Sequence, residues 1–277
     1  MRILLLSALA GIAAAPQDAK GAPPPRTRAE VEAVLGPAAA PAKDPRPLNV
    51  LLVACVKDHG PGEHDYPAWQ KKWAPLLAKV PGVKVDTADP WPSKDQWASA
   101  DLAVLYLWGR YTDEHFKDLD AHLARGRGLV AAHSATIPVG DTHEKLAARI
   151  GMSWKHKATK FRHGALDLIV KQGDGSGITA GFPEQVKLVD ESYWPMTAGD
   201  SARIRILASG VEEGAEQPLL WTFAPERGRV FTCILGHYSW TFDDPLFRIL
   251  LLRGMAWAAG EPVDRFRALV LDGVPLK

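Results

Sequence analysis

Cysteine is scarce in this chain, with only Cys55 and Cys233 among 277 residues. Two thiols rule out a disulfide framework and leave at most one bond between them; both fall in expected buried strands and read as small apolar residues. Net charge is lacking too. The 33 basic and 32 acidic side chains leave a formal +1, and no long basic run offers a local footprint, so nucleic acid is not an expected partner. No internal repeat is present, and no stretch beyond the amino terminus is long and apolar enough to span a membrane. A phosphate-cradling loop is missing as well. Gly173-Asp174-Gly175-Ser176-Gly177 has the glycines but not the Lys and Ser/Thr of a P-loop, and reads as a surface turn.

What is present is material for a packed core, with 47% hydrophobic residues, and ten tryptophans, whose indole faces serve either cores or sugar platforms. Met1 to Ala15 carries one positive charge, an apolar run and a small-residue end, the pattern of a secretory signal cut after Ala14 or near Ala19. Residues 1–19 are therefore expected to be a signal peptide and the mature chain to be periplasmic or secreted, with no membrane attachment after cleavage. Residues 20–47 are rich in Ala, Pro and charge and hold one short helical pattern, Thr27 to Leu35, which marks a tether that is mobile or laid on the domain. A globular domain is expected over 48–260, followed by a tail, 261–277.

Near-continuous apolar runs at Leu48–Cys55, Asp101–Leu107 and Gly128–Ala132 have the pattern of parallel strands covered on both faces. Helical patterns alternate with them. The one from Thr112 has a Thr cap and an acidic first turn, and its His115 and His122 are expected at the surface. Further strands are expected at Gly164–Val170, Val186–Asp190 and Arg203–Ala208, and a hairpin at Pro218–Phe223 and Gly228–Leu235. Asp243-Asp244-Pro245 then caps a long helix closed by Gly260. The fold class is thus α/β, a flavodoxin-like doubly wound, mostly parallel sheet with antiparallel strands added in the C-terminal half.

Ligands bind beyond the carboxyl ends of strands in such sheets. His59 and His64 follow the first strand, His133 the central one, Glu191 and Tyr193 a later one, and His237 the last. Each alone could be a core residue with a satisfied hydrogen bond. Their shared placement at strand exits is what argues for a site.

Gly128-Leu129-Val130-Ala131-Ala132-His133-Ser134-Ala135, His64-Asp65-Tyr66, Asp190-Glu191-Ser192-Tyr193, Gly228-Arg229-Val230-Phe231, Leu235-Gly236-His237 and Gly254-Met255-Ala256-Trp257-Ala258-Ala259-Gly260 together resemble the trehalose-utilisation (ThuA-like) family over about residues 48 to 260. The resemblance implies a class I glutamine-amidotransferase-like fold and a link to carbohydrate metabolism, often to oxidised (3-keto) sugars. Amidotransferases of that fold need a cysteine nucleophile on a strand-to-helix elbow. Here the elbow holds His133-Ser134, so that activity is not expected, and Ser134 lacks the Gly-x-Ser-x-Gly setting of a serine nucleophile.

With a 3-keto sugar as small-molecule partner, one base and one acid suffice for isomerisation or elimination. His133, His237, Glu191 and His64 are the candidates for that acid-base chemistry. Tyr193, Trp194, Trp240, Ser134, His163 and Tyr238 are candidates for holding the sugar. No cofactor is required by this reading. Two alternatives stay open: a metal-dependent sugar hydrolase, its divalent ion held by three histidines and a glutamate although no His-x-x-x-His spacing fixes two of them on one element, and a non-catalytic sugar-binding protein.

Overall fold

The computed structural model describes residues 21–37 and 45–277; the expected signal segment at 1–19 lies outside the described residues. Along the first half run α1 (Arg28–Leu35), β1 (Leu48–Val53), α2 (Tyr66–Leu77), β2 (Val83–Ala88), α3 (Lys94–Ser99), β3 (Leu102–Leu105), α4 (Asp113–Ala124) and β4 (Gly128–Ala132). The second half adds α5 (His143–Ile150), β5 (Met152–Ser153), β6 (Lys160–Val170), β7 (Gln185–Trp194), β8 (Thr197–Ala198), β9 (Ile204–Glu212), β10 (Ala215–Phe223), β11 (Arg229–Cys233) and α6 (Pro245–Ala258).

Nine strands share one sheet in the order β2-β1-β3-β4-β11-β10-β9-β6-β7. The first five are parallel, and the remaining four alternate in direction. This is the mixed α/β sheet the sequence predicts. Its parallel strands are apolar because helices cover both faces: α6 packs on β3, β4 and β11, while α4 packs on β4 and α5 on β11. The approach of α6 is close. A Cβ at Gly128 would lie 2.4 Å from the Ala258 carbonyl oxygen, so only glycine lets β4 start there.

The antiparallel extension is held differently. β6 and β7 pair along their length, from Lys160 with Trp194 to Ile169 with Gln185, yet β6 meets β9 through only Ile169–Ser209 and Val170–Ala208. The two strands therefore form a ribbon whose backbone joins the sheet at one end, while at the other end side chains tie it to β9, with Arg162 and Ser192 both bonded to Glu212. β6 begins at Lys160, four residues before the expected Gly164, because these polar residues pair along the ribbon rather than in the covered sheet.

Three features complete or correct these expectations. The Thr27–Leu35 pattern is a helix with a Thr27/Glu30 capping box, and it is laid on the domain, burying Val31 and Val34. The tail packs as well: Phe266, Leu269 and Val270 are buried, and the buried Arg248 guanidinium donates to the carbonyls of Leu269 and Asp272. His122 is not at the surface. It is fully buried, with Nε2 2.8 Å from the Gly128 carbonyl, because α4 lies on β4 and turns that side of the helix inward. His115 is half-buried, its ring stacked on Trp91. Both cysteines are free and buried. Among the described residues no helix is long and apolar enough to cross a membrane.

Candidate functional site

β4 ends at Ala132, and His133 turns out of the sheet with φ of +51°, a left-handed conformation that costs a non-glycine residue energy and so requires support from its surroundings. Support comes from β11. The His133 Nδ1–H donates to the Ile234 carbonyl at 2.6 Å. Gly236 follows at φ +127°, where a Cβ would press against Phe242 and the His133 Cβ, so glycine is what allows the two strand exits to lie side by side. His64, on the loop after β1, is likewise left-handed at φ +42° and its backbone N–H donates to the His237 carbonyl.

These supports bring four side chains together. His64 Nε2 is 2.8 Å from His133 Nε2 and 2.9 Å from His237 Nδ1. Glu191 Oε2 lies 3.1 Å from His237 Nδ1 and 3.4 Å from His133 Nε2. All four residues are buried, and their ligand atoms lie within 4.8 Å of one another. A tetrahedron with metal–ligand bonds of about 2.0–2.1 Å has edges of about 3.3 Å, close to the separations of these four pairs.

The outer partners settle which ring nitrogens are free. His64 Nδ1 faces the Asp58 carboxylate at 2.9 Å, so it carries the proton and leaves Nε2 with its lone pair. His133 Nδ1 faces a carbonyl, which can only accept, with the same result. Two lone pairs 2.8 Å apart repel unless a cation lies between them. Burial reinforces this by disfavouring the imidazolium form: it pushes His133 down to about 3 despite the nearby Glu191, and His64 down to about 4, helped by His237 and His59. Burial opposes ionisation of Glu191, but hydrogen bonds from His163 and His237 outweigh it and hold the carboxyl well below the usual carboxylate range. Tyr193 donates to Glu191 Oε2 at 2.8 Å.

Asp190 organises the floor. Its buried carboxylate accepts the backbone N–H groups of Gly236 and His237 and the Thr241 hydroxyl, which fixes the turn that carries His237. Desolvation raises Asp190 to about 6 against those same hydrogen bonds.

The other expected residues divide into three groups. His163 stands at the mouth, its Nε2 2.8 Å from Glu191 Oε1 and its Nδ1 3.2 Å from the Tyr238 hydroxyl. The Glu191 hydrogen bond raises its pKa against the effect of burial. Tyr238 stacks on Trp240 at 4.1 Å, beside the opening. Ser134 and Trp194 are not positioned to hold a ligand. Ser134 is fully buried with its hydroxyl 2.9 Å from the Tyr66 hydroxyl, and Trp194 is buried on the strand face opposite Glu191 and Tyr193. His59 is exposed and bonds Asp58, its ring 3.8 Å from that of His64.

Sequence reasoning did not single out Asp58, Tyr66 or Asp190. Asp58 lies in the polar loop before His64, and only the fold shows that it points back at that ring. The four residues of the cluster come from four separate segments, an arrangement that no short motif can display.

The trehalose-utilisation (ThuA) family matches residues 52–258, most of the described domain. The chain belongs to this family. Among solved structures it is similar to a ThuA-like protein from Parabacteroides merdae ATCC 43184, at 20% identity and TM-score 0.57, covering 78% of this chain and 91% of that one. A ThuA-like protein from Bacteroides uniformis ATCC 8492 is similar at 15% identity and TM-score 0.61, covering 80% and 95%. A β-galactosidase from Bacillus circulans sp. alkalophilus shares the fold over 31% of its length, at 11% identity and TM-score 0.52, with 77% of this chain covered. No curated protein matches the chain. ThuA membership places it in a family connected with carbohydrate utilisation.

Proposed function

We propose that this ThuA-family chain is an exported, divalent-metal-dependent enzyme acting on oxidised (3-keto) sugars or their glycosides by isomerisation or elimination. The observation that carries the reading is the convergence of His64 Nε2, His133 Nε2, His237 Nδ1 and Glu191 Oε2, with His64 and His133 locked as lone-pair donors and the proton between His237 Nδ1 and Glu191 the one an ion would displace. A bound ion of the zinc class supplies a Lewis acid for a sugar carbonyl or an activated water. The protein supplies the rest. Asp58 and the Ile234 carbonyl orient the ligand rings. His163, half-exposed and paired with Glu191, is the group at the mouth able to take a proton from the carbon next to a carbonyl and return it. Tyr238 hydrogen-bonds the far nitrogen of that ring and so follows its protonation state. Tyr193 holds the Glu191 carboxylate and leaves its second oxygen to His163.

A metal-free acid-base reaction by the His163–Glu191 pair is the second reading, favoured by the raised pKa of His163. One experiment separates the two. Purified protein is analysed for metal and incubated with a panel of 3-keto disaccharides, before and after chelation and after zinc is restored. One ion per chain with chelator-sensitive, zinc-rescued turnover is expected. Turnover indifferent to the chelator leaves the acid-base pair alone, and sugar binding with no turnover makes the chain a binding protein.

A further inference from the structure

The site above uses the exits of β4 and β11, the paired strands β6 and β7, and the loop leading to His64. A second cavity, of about 340 Å³, opens beyond the carboxyl ends of β1, β2 and β3, and shares no residue with the four-ligand cluster. Its place in the topology is informative. β1 lies between β2 and β3, so the chain leaves β1 to one side for β2 and then crosses back for β3. Connections diverge at this switch point, and the crevice they leave is where sheets of this order bind ligands.

The lining points to a class of ligand. Val56 and Trp108 are 73% and 45% exposed, two of the few large apolar side chains left in water among the described residues, and both face this cavity. Trp91 forms a fixed flat wall. Its ring stacks on His115 at 4.0 Å and 14°, and its Nε1–H donates to Asp118 at 3.1 Å, so its orientation is set before any ligand arrives. Asp89 and Arg110, both exposed, add a carboxylate and a guanidinium to the same lining. Indole faces suit the C–H faces of a sugar ring, and the two charged groups suit its hydroxyls.

A nucleotide does not fit these walls. Phosphate binding at a switch point relies on a glycine-rich turn presenting backbone N–H groups. Here β1 is followed by Ala54-Cys55-Val56-Lys57. The Cys55 thiol lies against the Trp108 backbone, and the Lys57 ammonium is bound to the Glu63 carbonyl.

We propose that this cleft is a second ligand site that takes a neutral pyranose ring, with Trp91 and Trp108 as stacking surfaces and Asp89 and Arg110 as hydroxyl partners. It is independent of the metal reading.

Calorimetric titration of the full chain with methyl α-D-glucopyranoside tests it, using wild type, Trp108→Ala, Asp89→Ala and His237→Ala, each checked for its circular dichroism spectrum. Trp108 and Asp89 are exposed, so both variants should fold. The expected result is saturable binding by wild type, weakened tenfold or more by Trp108→Ala and by Asp89→Ala, and changed less than twofold by His237→Ala. The proposal is overturned by no saturable binding to wild type or by affinity indifferent to Trp108→Ala. It is equally overturned by affinity lost in His237→Ala, which would put the sugar at the histidine cluster. Indole serves as a control, and saturation by indole with none by the glucoside makes the cleft an apolar-ligand site and also overturns it.

Discussion

Two fully buried histidines bracket β4, His122 before it and His133 at its exit. Burial pushes both pKa values down, to about 4 and about 3. In burial and in the direction of their shifts they look alike. Their partners separate them. His122 spends one nitrogen on the Gly128 carbonyl, and its other nitrogen meets no partner. His133 is anchored through one nitrogen so that the other points at two further imidazoles and a carboxylate. A depressed histidine pKa is thus a sign of burial, and only convergence of lone pairs makes it a sign of a site.

Mutation can sharpen or break this contrast. The largest effect is expected from the exit side. If four ligands share roughly 10–16 kcal/mol of apparent binding energy, losing one weakens zinc affinity on the order of 10²–10³-fold. Competition with a chromophoric chelator should show that loss in His133→Ala and none in His122→Gln. Equal loss in both would erase the distinction.

The next effect belongs to His122 and is read in stability. Its folded pKa of about 4 lies below the ordinary 6.5, so the unfolded chain takes up the proton first. The neutral ring's contribution is fully present above pH 6.5 and is lost as the pH falls toward 4, a total of roughly 3 kcal/mol. Urea unfolding at a series of pH values should show a slope in that window that flattens in His122→Leu. An unchanged slope would mean that the ring titrates normally in the folded protein.

A smaller effect is expected one step out from the ligands. Asp58→Asn keeps a hydrogen-bonding group beside His64 but removes the charge that holds its tautomer, and zinc affinity should fall about 10- to 100-fold with the fold intact. An unchanged affinity would show that the Tyr66 hydroxyl, 2.9 Å from the same nitrogen, suffices. The smallest effect is at the cap of the helix that carries His122. Thr112→Ala removes the acceptor of the His115 N–H, and should cost about 1 kcal/mol in stability while zinc affinity stays the same.

The same contrast shows what the sequence could convey. Parallel strands announce themselves because a strand covered on both faces must be apolar throughout, and β1, β3 and β4 were legible for that reason. Strand exits were legible too, so His64, His133 and His237 could be named before any coordinates; Glu191 was also named, but it lies inside β7, paired with His163, rather than after a strand ending at Asp190. Direction in space was not legible. His122 sits on a helix full of charge, and nothing in its neighbours reveals that its side of the helix lies on β4. Ser134 and Trp194 adjoin residues of the cluster, but the Ser134 hydroxyl bonds Tyr66 and Trp194 faces the opposite way. α3 is too short for a periodic signal, with Trp97 its only buried residue. Asp58 and Asp190 read as loop and strand-end polarity, since what they bind lies far away in the chain.

The ribbon of β6 and β7 has one more consequence. It carries His163, Glu191 and Tyr193, yet its backbone pairs with β9 at only two positions and side chains on Glu212 hold the rest. The three other ligands belong to the parallel half of the sheet. Asp190 of the same ribbon also holds the turn that carries His237, so variation in the ribbon acts on the carboxylate, the proton carrier and one imidazole together. A scaffold divided in this way can change its reaction without rebuilding its core.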